Sequence, residues 1–375
     1  MTGLLKDTFT QEAEAIGDPS IDLDAIVATG NRRLRRRRLA TVITAVAASV
    51  AVAGGGLVAV QHFGTGQDAQ VATGGPLTER RPTWASGKQI HFGTDVIKVP
   101  VAVASFVQTN ADFVFTSADG SVYRVGDVTG ATKIGKGSKS HQLAADAEHG
   151  VVGWVDATRP VPEFVVYDLE AGREVARTAT GNRRATATAE PPRVAAIDDG
   201  IAYFGASDGL RRWNLATGVG ELVKPKAAPS FLIAAEAGQL VWENPVGDDT
   251  DLGVGADVNA TNPTHYDGWH GSLSPQARYL LTDKADTVGV VDLRSGKSAP
   301  VTIPGYVLIA PTQWKDDHTV YAVGFRDETS PLDLLTCTIK PPTSTTCTPT
   351  LRDFAPPLTK KSITQFPIGS PMDQG

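Results

Sequence analysis

Two cysteines and two methionines are all the sulfur that the 375 residues contain. Cys337 and Cys347 have no histidine beside them, so they do not form a zinc site. No GxSxG, HExxH, CxxC or phosphate-loop pattern occurs. The common signatures of serine hydrolases, zincins, dithiol redox centres and nucleotide sites are therefore missing. Beyond residue 84 there is no long stretch of 3.6-residue hydrophobic period, which argues against a helical domain. Positive charge is scarce there too. After Val60 come 28 basic and 35 acidic residues, a net charge of −7. An acidic domain of this size argues against nucleic acid as its partner.

Positive charge is concentrated near the amino end instead. Arg32, Arg33, Arg35, Arg36, Arg37 and Arg38 fall in one seven-residue window, and no ionised residue follows until Asp68. Residues 39–60 are an uncharged apolar run. As a helix they would extend roughly 33 Å, enough for a bilayer core. Arginines on one flank hold that flank in the cytoplasm. The sequence thus predicts a single-pass membrane protein, with residues 1–38 inside the cell as a short helical segment and the rest outside. The alternative is a cleaved signal ending at a small-residue site such as Ala51-Val52-Ala53. Against it, about 38 residues precede the run, long for a secretory leader.

Residues 61–83 are rich in Gly, Thr and Gln and read as a flexible linker. From Trp84 to about residue 355, short runs of Val, Ile, Phe, Tyr and Trp alternate with Gly- and Pro-rich turns, an all-β pattern. Four of these runs end in one phrase: VGDVTG, YDLEAG, WNLATG and VDLRSG. Each places Asp127, Asp168, Asn214 or Asp292 three or four residues before Gly130, Gly172, Gly218 or Gly296. Asp or Asn at a strand end can bind the amides of its own turn, and glycine supplies a positive φ. The glycines lie 42, 46 and 78 residues apart. GADVNATNP fits the long gap, with Asp257 in register and Thr261 where glycine is expected. A period of 40–45 residues is that of a β-propeller of four-stranded blades.

Residues 274–297, SPQARYLLTDKADTVGVVDLRSGK, resemble a WD-repeat blade. FVFTSADGSVYRVGDVTG and YFGASDGLRRWNLATG read alike, with Asp119-Gly120 and Asp208-Gly209 in their middle turns. The Trp-Asp pair of strict WD repeats is absent. The likeness is to the loose WD-like and quinoprotein-like propellers of bacterial exteriors, over most of 84–350. Six first-strand starts occur, near 102, 142, 193, 231, 270 and 308. They imply six blades with the hairpin KQIHFGTDVIKVP added, or seven with a composite blade that also uses KSITQFPIG from the tail, 356–375. Six is the expected number. The layout of acidic helix, arginine cluster, single span and outer propeller resembles actinobacterial membrane proteins associated with alternative sigma factors, which implies a sigma factor as a possible cytoplasmic partner.

The chemistry-bearing clusters are few. Asp248, Asp249, Asp251 and Asp257 could gather around calcium, but their spacing is not that of an EF-hand and a solvated loop explains them. His265, Tyr266, Asp267, Trp269 and His270 group where a blade begins. Asp316, Asp317 and His318 read as a turn. Trp154, Trp213, Trp242 and Trp314 read as blade core. In an exterior compartment, Cys337 and Cys347 read as a disulfide stabilising by roughly 2.5–3 kcal/mol. No catalytic residue, cofactor site or metal ligand is assigned. The expected function is non-catalytic: an extracytoplasmic binding or scaffold module for a protein or envelope ligand. The alternative is a transmembrane regulator whose output lies in residues 1–38; a propeller enzyme ranks below both.

Overall fold

The computed structural model describes residues 77–371 apart from 127–129, 181–189, 247–248, 262, 269, 285–286, 328 and 358–363. The arginine cluster, the apolar run 39–60 and Asp127 lie outside the described residues. No described helix is long and apolar enough to cross a membrane.

The described chain is all β-strand, arranged as seven four-stranded antiparallel sheets. Strands β1 (Thr83–Ser86), β2 (Gln89–Phe92) and β3 (Asp95–Lys98) come first. Six complete blades follow. Blade 2 holds β4 (Val103–Gln108), β5 (Phe113–Ser117), β6 (Ser121–Val125) and β7 (Thr132–Lys136). Blade 3 holds β8 (Ala144–Asp146), β9 (Val151–Asp156), β10 (Glu163–Asp168) and β11 (Arg173–Ala179). Blade 4 holds β12 (Arg193–Asp198), β13 (Ile201–Ala206), β14 (Gly209–Asn214) and β15 (Val219–Pro225). Blade 5 holds β16 (Leu232–Glu236), β17 (Gln239–Val246), β18 (Asp249–Gly255) and β19 (Thr264–Asp267). Blade 6 holds β20 (His270–Leu273), β21 (Tyr279–Lys284), β22 (Thr287–Asp292) and β23 (Lys297–Pro300). Blade 7 holds β24 (Leu308–Asp316), β25 (Thr319–Phe325), β26 (Leu332–Lys340) and β27 (Ser344–Ala355). The last strand, β28 (Thr364–Gln365), pairs with β1 through Ala85–Gln365 and Ser86–Thr364.

The protein is therefore a seven-bladed propeller, and the expected six is corrected. Blade 1 is split between the two ends of the chain: β28 supplies its inner strand and β1–β3 the outer three. Two residues are too short to show a strand pattern, which is why the sequence displays only six complete starts. Residues 77–82, inside the stretch read as linker, pack onto the ring. Leu77 is buried against Phe92, Val103 and Phe113.

Packing explains the texture of the sequence. The second strands β5 and β9 are buried along their whole length, because both faces of a blade meet a neighbour. They open on continuous apolar runs, Phe113–Phe115 and Val151–Val155, that do not alternate, and keep their polar residues for the strand ends. The outer strands β7, β11 and β15 are mostly exposed and carry the charges. Each interface between blades holds its own apolar cluster. Phe164 of blade 3 stacks on Phe204 of blade 4 at 4.5 Å, for example. Trp154 and Trp242 are buried, while Trp213 and Trp314 are half-buried at cluster edges.

The turns between third and fourth strands use the repeated phrase. The Asp168 carboxylate accepts from the Ala171 amide at 2.8 Å. Asn214 accepts from Ala216 and Thr217, and Asp292 from Arg294 and Ser295, at 2.9–3.0 Å. Gly172, Gly218 and Gly296 have φ between 64° and 68°. In the fifth blade Asp257 accepts from the Asn259 amide at 2.8 Å. Gly130 faces open space.

Candidate functional site

Antiparallel order puts the first-to-second-strand turns of all blades on one face of the ring. Three inner strands of successive blades end there in an acid: Asp146 on β8, Asp198 on β12 and Glu236 on β16. Inner strands crowd the axis, and an alanine stands two residues before each acid, in Ala-Ala-Asp, Ala-Ile-Asp and Ala-Ala-Glu.

Two of these acids lock one blade to the next. The Asp146 carboxylate accepts from the Glu148 and His149 amides at 3.1 and 3.0 Å, and from the Asp199 amide of blade 4 at 3.0 Å. It also meets His149 Nδ1 at 2.8 Å, a bond that raises the histidine's pKa. Asp198 accepts from Ala237 and Gly238 of blade 5 at 3.1 and 2.8 Å. By repetition Glu236 would bind the blade 6 turn. In the blade 6 turn the Ser274 amide donates to the Tyr279 carbonyl at 2.9 Å and the Gln276 amide to Asp317 of blade 7 at 2.8 Å.

Glu236 keeps its proton near neutral pH. Burial pushes its carboxyl up, and the neighbouring charges of Asp198, Asp146 and Glu148 push it further, to about 8. Arg80, from the segment before β1, provides the opposing charge. Its Nη2 donates to Asn110 Oδ1 at 3.0 Å and to the Ala147 carbonyl at 3.3 Å. Its carbonyl accepts from the Tyr321 hydroxyl at 3.1 Å, tying blade 7 to the entering chain. The result is a mouth that gathers Asp146, Glu148, Asp198 and Glu236 around Arg80.

The opposite face holds the histidine-rich stretch. His265, Tyr266 and Asp267 lie on β19, the outer strand of blade 5, whereas His270 opens β20, the inner strand of blade 6. The grouping that the sequence suggests is divided between two blades; Trp269 lies outside the described residues. His265 Nδ1 is 3.2 Å from Asn244 Nδ2, and His270 Nδ1 is 3.8 Å from Asp283 Oδ2. Nearby Arg193 is used structurally, donating to the carbonyls of Pro229, Ser230 and Leu232 at 2.7–3.1 Å.

The other sequence candidates occupy separate places. Asp251 is on β18 and Asp257 in the following turn, while Asp248 lies outside the described residues. Among the described residues no three His, Cys, Asp or Glu side chains are grouped to hold a metal. Asp316 ends β24, and Asp317 and His318 form its turn. Cys337 and Cys347 are opposite one another on β26 and β27 and are disulfide-bonded. The acids at the mouth were not singled out from the sequence. Their signal was there, a small-apolar-acid triplet followed within four residues by glycine, at 144–150, 196–200 and 234–238.

No family model and no curated protein matches the chain. Solved structures of similar shape exist at low identity. TolB from Acinetobacter baumannii is 14% identical, with a TM-score of 0.39 over 60% of this chain and 65% of that one. The RRP9 WD40 repeats are 12% identical, with a TM-score of 0.41 over 64% and 76%. A protein of unknown function from Desulfotomaculum acetoxidans is 14% identical, with a TM-score of 0.45 over 69% and 92%.

Proposed function

We propose that the ring is a non-catalytic binding module, held outside the cell by residues 39–60, whose carboxylate-rich mouth receives cationic groups of a protein or envelope ligand. The interlocked mouth carries this reading. Asp146 and Asp198 are committed to neighbouring turns, so the surface is pre-organised; Glu148 adds a carboxylate, and Glu236, raised to about 8, becomes one as pH rises or when a cationic group lies beside it. Loops on a rigid frame suit recognition, and a pre-organised surface binds without an ordering cost. The test is crosslinking capture in intact cells with the full chain and with Glu148→Gln/Glu236→Gln. The native chain should retain a specific partner, more weakly as salt rises, and the double variant should lose most of it. Equal capture by both forms refutes the mouth as the site. Turnover abolished by substituting one axial polar residue refutes the non-catalytic reading.

The layout of residues 1–60 supports a second reading, a transmembrane regulator of the anti-sigma kind. Deleting residues 1–38 while supplying another anchor should then change transcription and leave outer binding intact. An unchanged transcript profile rejects it.

A further inference from the structure

Blade 7 ends in an unusual hairpin. Its strands β26 and β27 are 9 and 12 residues long, against 4–7 for the third and fourth strands of the complete blades 2–6. The register pairs Lys340 with Ser344, Thr338 with Thr346, and Thr336 with Thr348. Residues paired across strands share a face, so these six, joined by Thr350, form one side of the hairpin. All are exposed except Thr336, which is half-buried and hydrogen-bonds Thr350 through its hydroxyl. The other face carries Ile339, Cys337 and Leu335 into the core against blade 6. One face is therefore almost wholly hydroxyl, with neighbours about 4.5–5.5 Å apart across the strands.

The outer edges of the ring are protected elsewhere by charge, as exposed edges generally are. Lys133 and Lys136 lie on β7, Arg173, Glu174 and Arg177 on β11, Glu221 and Lys224 on β15, and Lys297 on β23. The longest edge strand carries its charges, Arg352 and Asp353, only near one end. From Ser344 to Leu351, β27 has no charged residue, and Pro349 alone interrupts its donors. Its sequence, with the preceding turn, is PPTSTTCTPTL, a Ser/Thr-rich and Pro-rich composition of the kind that carries O-linked sugars.

We propose that the exposed Thr338, Thr346 and Thr348 hydroxyls are O-glycosylation sites, and that the sugars cover the edge that charge leaves bare. The donor is a sugar joined through its anomeric carbon to a lipid phosphate. Thr Oγ1 attacks that carbon, and the new C–Oγ bond replaces the C–O bond to phosphate. The lipid phosphate leaves with the bonding pair, and the hydroxyl proton passes to a base of the transferase. The proposal rests on the extracytoplasmic placement of the ring, and the disulfide reports on that placement independently.

The full-length chain is isolated from its native cells and digested with trypsin without reduction. Lys340 precedes proline and resists cleavage, so the hairpin is released as one peptide, Asp327–Arg352. Fragment mass spectrometry should place hexose-mass increments on Thr338, Thr346 or Thr348. The Thr338→Val/Thr346→Val/Thr348→Val chain keeps strand-forming side chains and should yield the same oxidised peptide without increments. An unmodified but disulfide-bonded peptide from native cells overturns the proposal and leaves the outer location standing. An unmodified peptide with two free thiols overturns both. Sugars found only elsewhere in the chain also overturn it.

Discussion

Ring closure depends on very few residues, which makes it open to a sharp test. β28 has two residues, and behind it Phe366 is fully buried among Trp84, Val323, Leu332 and Leu334. Phe366 also meets Phe354 edge-on at 6.2 Å. Beyond it, the Gly369 amide donates to the Phe106 carbonyl at 3.0 Å, and the Leu143 amide donates to the Gly369 carbonyl at 2.6 Å. The tail thus joins blades 7, 1, 2 and 3. Phe366→Ala removes a buried aromatic ring, and such truncations cost about 3–5 kcal/mol. That is a large share of a typical domain stability of roughly 5–15 kcal/mol. At about 2–4 °C per kcal/mol, the melting midpoint of residues 77–375 should fall by roughly 10 °C. A chain ending at Pro357 loses Phe366 and the β28 pairing together and should do worse, with a shallower, less cooperative urea transition followed by tryptophan fluorescence. If that truncated ring unfolds at the same urea concentration and with the same slope as the full one, the closure described here is wrong. The expected six-blade ring would then regain its standing.

Three further outcomes are expected. Gly253 pairs with Trp242, and an added Cβ would sit 2.5 Å from the indole, so Gly253→Ala should destabilise by about 1–3 kcal/mol, read as a lower urea midpoint. Ala237 is exposed with φ at 49°; Ala237→Gly relieves a left-handed cost of about 1–2 kcal/mol against an unfolded-chain entropy of about 0.5–1 kcal/mol, and the ring should melt slightly higher. Glu236 holds its proton up to about 8 in the folded ring, against 4.5 ordinarily. As pH rises between those values the unfolded chain releases that proton and the folded chain does not, so this residue lowers stability across that window. Glu236→Gln should gain in melting temperature relative to the native ring between pH 5 and pH 8, and a difference that does not grow with pH contradicts the raised carboxyl.

The blade frame was legible because its signals are local. Asp168, Asn214 and Asp292 bind amides two or three residues ahead, and Gly172, Gly218 and Gly296 supply the φ, so the phrase is fixed by a turn and survives any tertiary context. The six complete first strands begin within two residues of the expected starts. The seventh blade was not legible with the same force, since its pairing joins Ala85 to Gln365 across nearly the whole chain. Only the tail segment KSITQFPIG hinted at it. The histidine-rich stretch illustrates a related point. Adjacent positions at a blade boundary belong to an outer strand and to the next inner strand, so sequence proximity between His265 and His270 does not amount to a shared site.

The acidic mouth shows the opposite relation between sequence and space. Asp146, Asp198 and Glu236 are 52 and 38 residues apart, yet each ends an inner strand at the same level of the ring. Alone, each triplet resembles an ordinary strand end, and the first two acids do serve as one by binding turn amides. The third is distinguished by its surroundings: burial and the charges of Asp198, Asp146 and Glu148 raise its carboxyl to about 8. The protonation of this residue is in part set by acids of blades 3 and 4, 38 to 90 residues earlier in the chain. Neither composition nor local pattern encodes that, which is why the turns could be read from the sequence and the perturbed carboxyl could not. The same dependence gives a functional expectation. Capture of a cationic partner should strengthen as pH rises through about 8, where Glu236 ionises, and Glu236→Gln should remove that rise. A pH profile of capture that Glu236→Gln leaves unchanged would show that this carboxyl takes no part in binding.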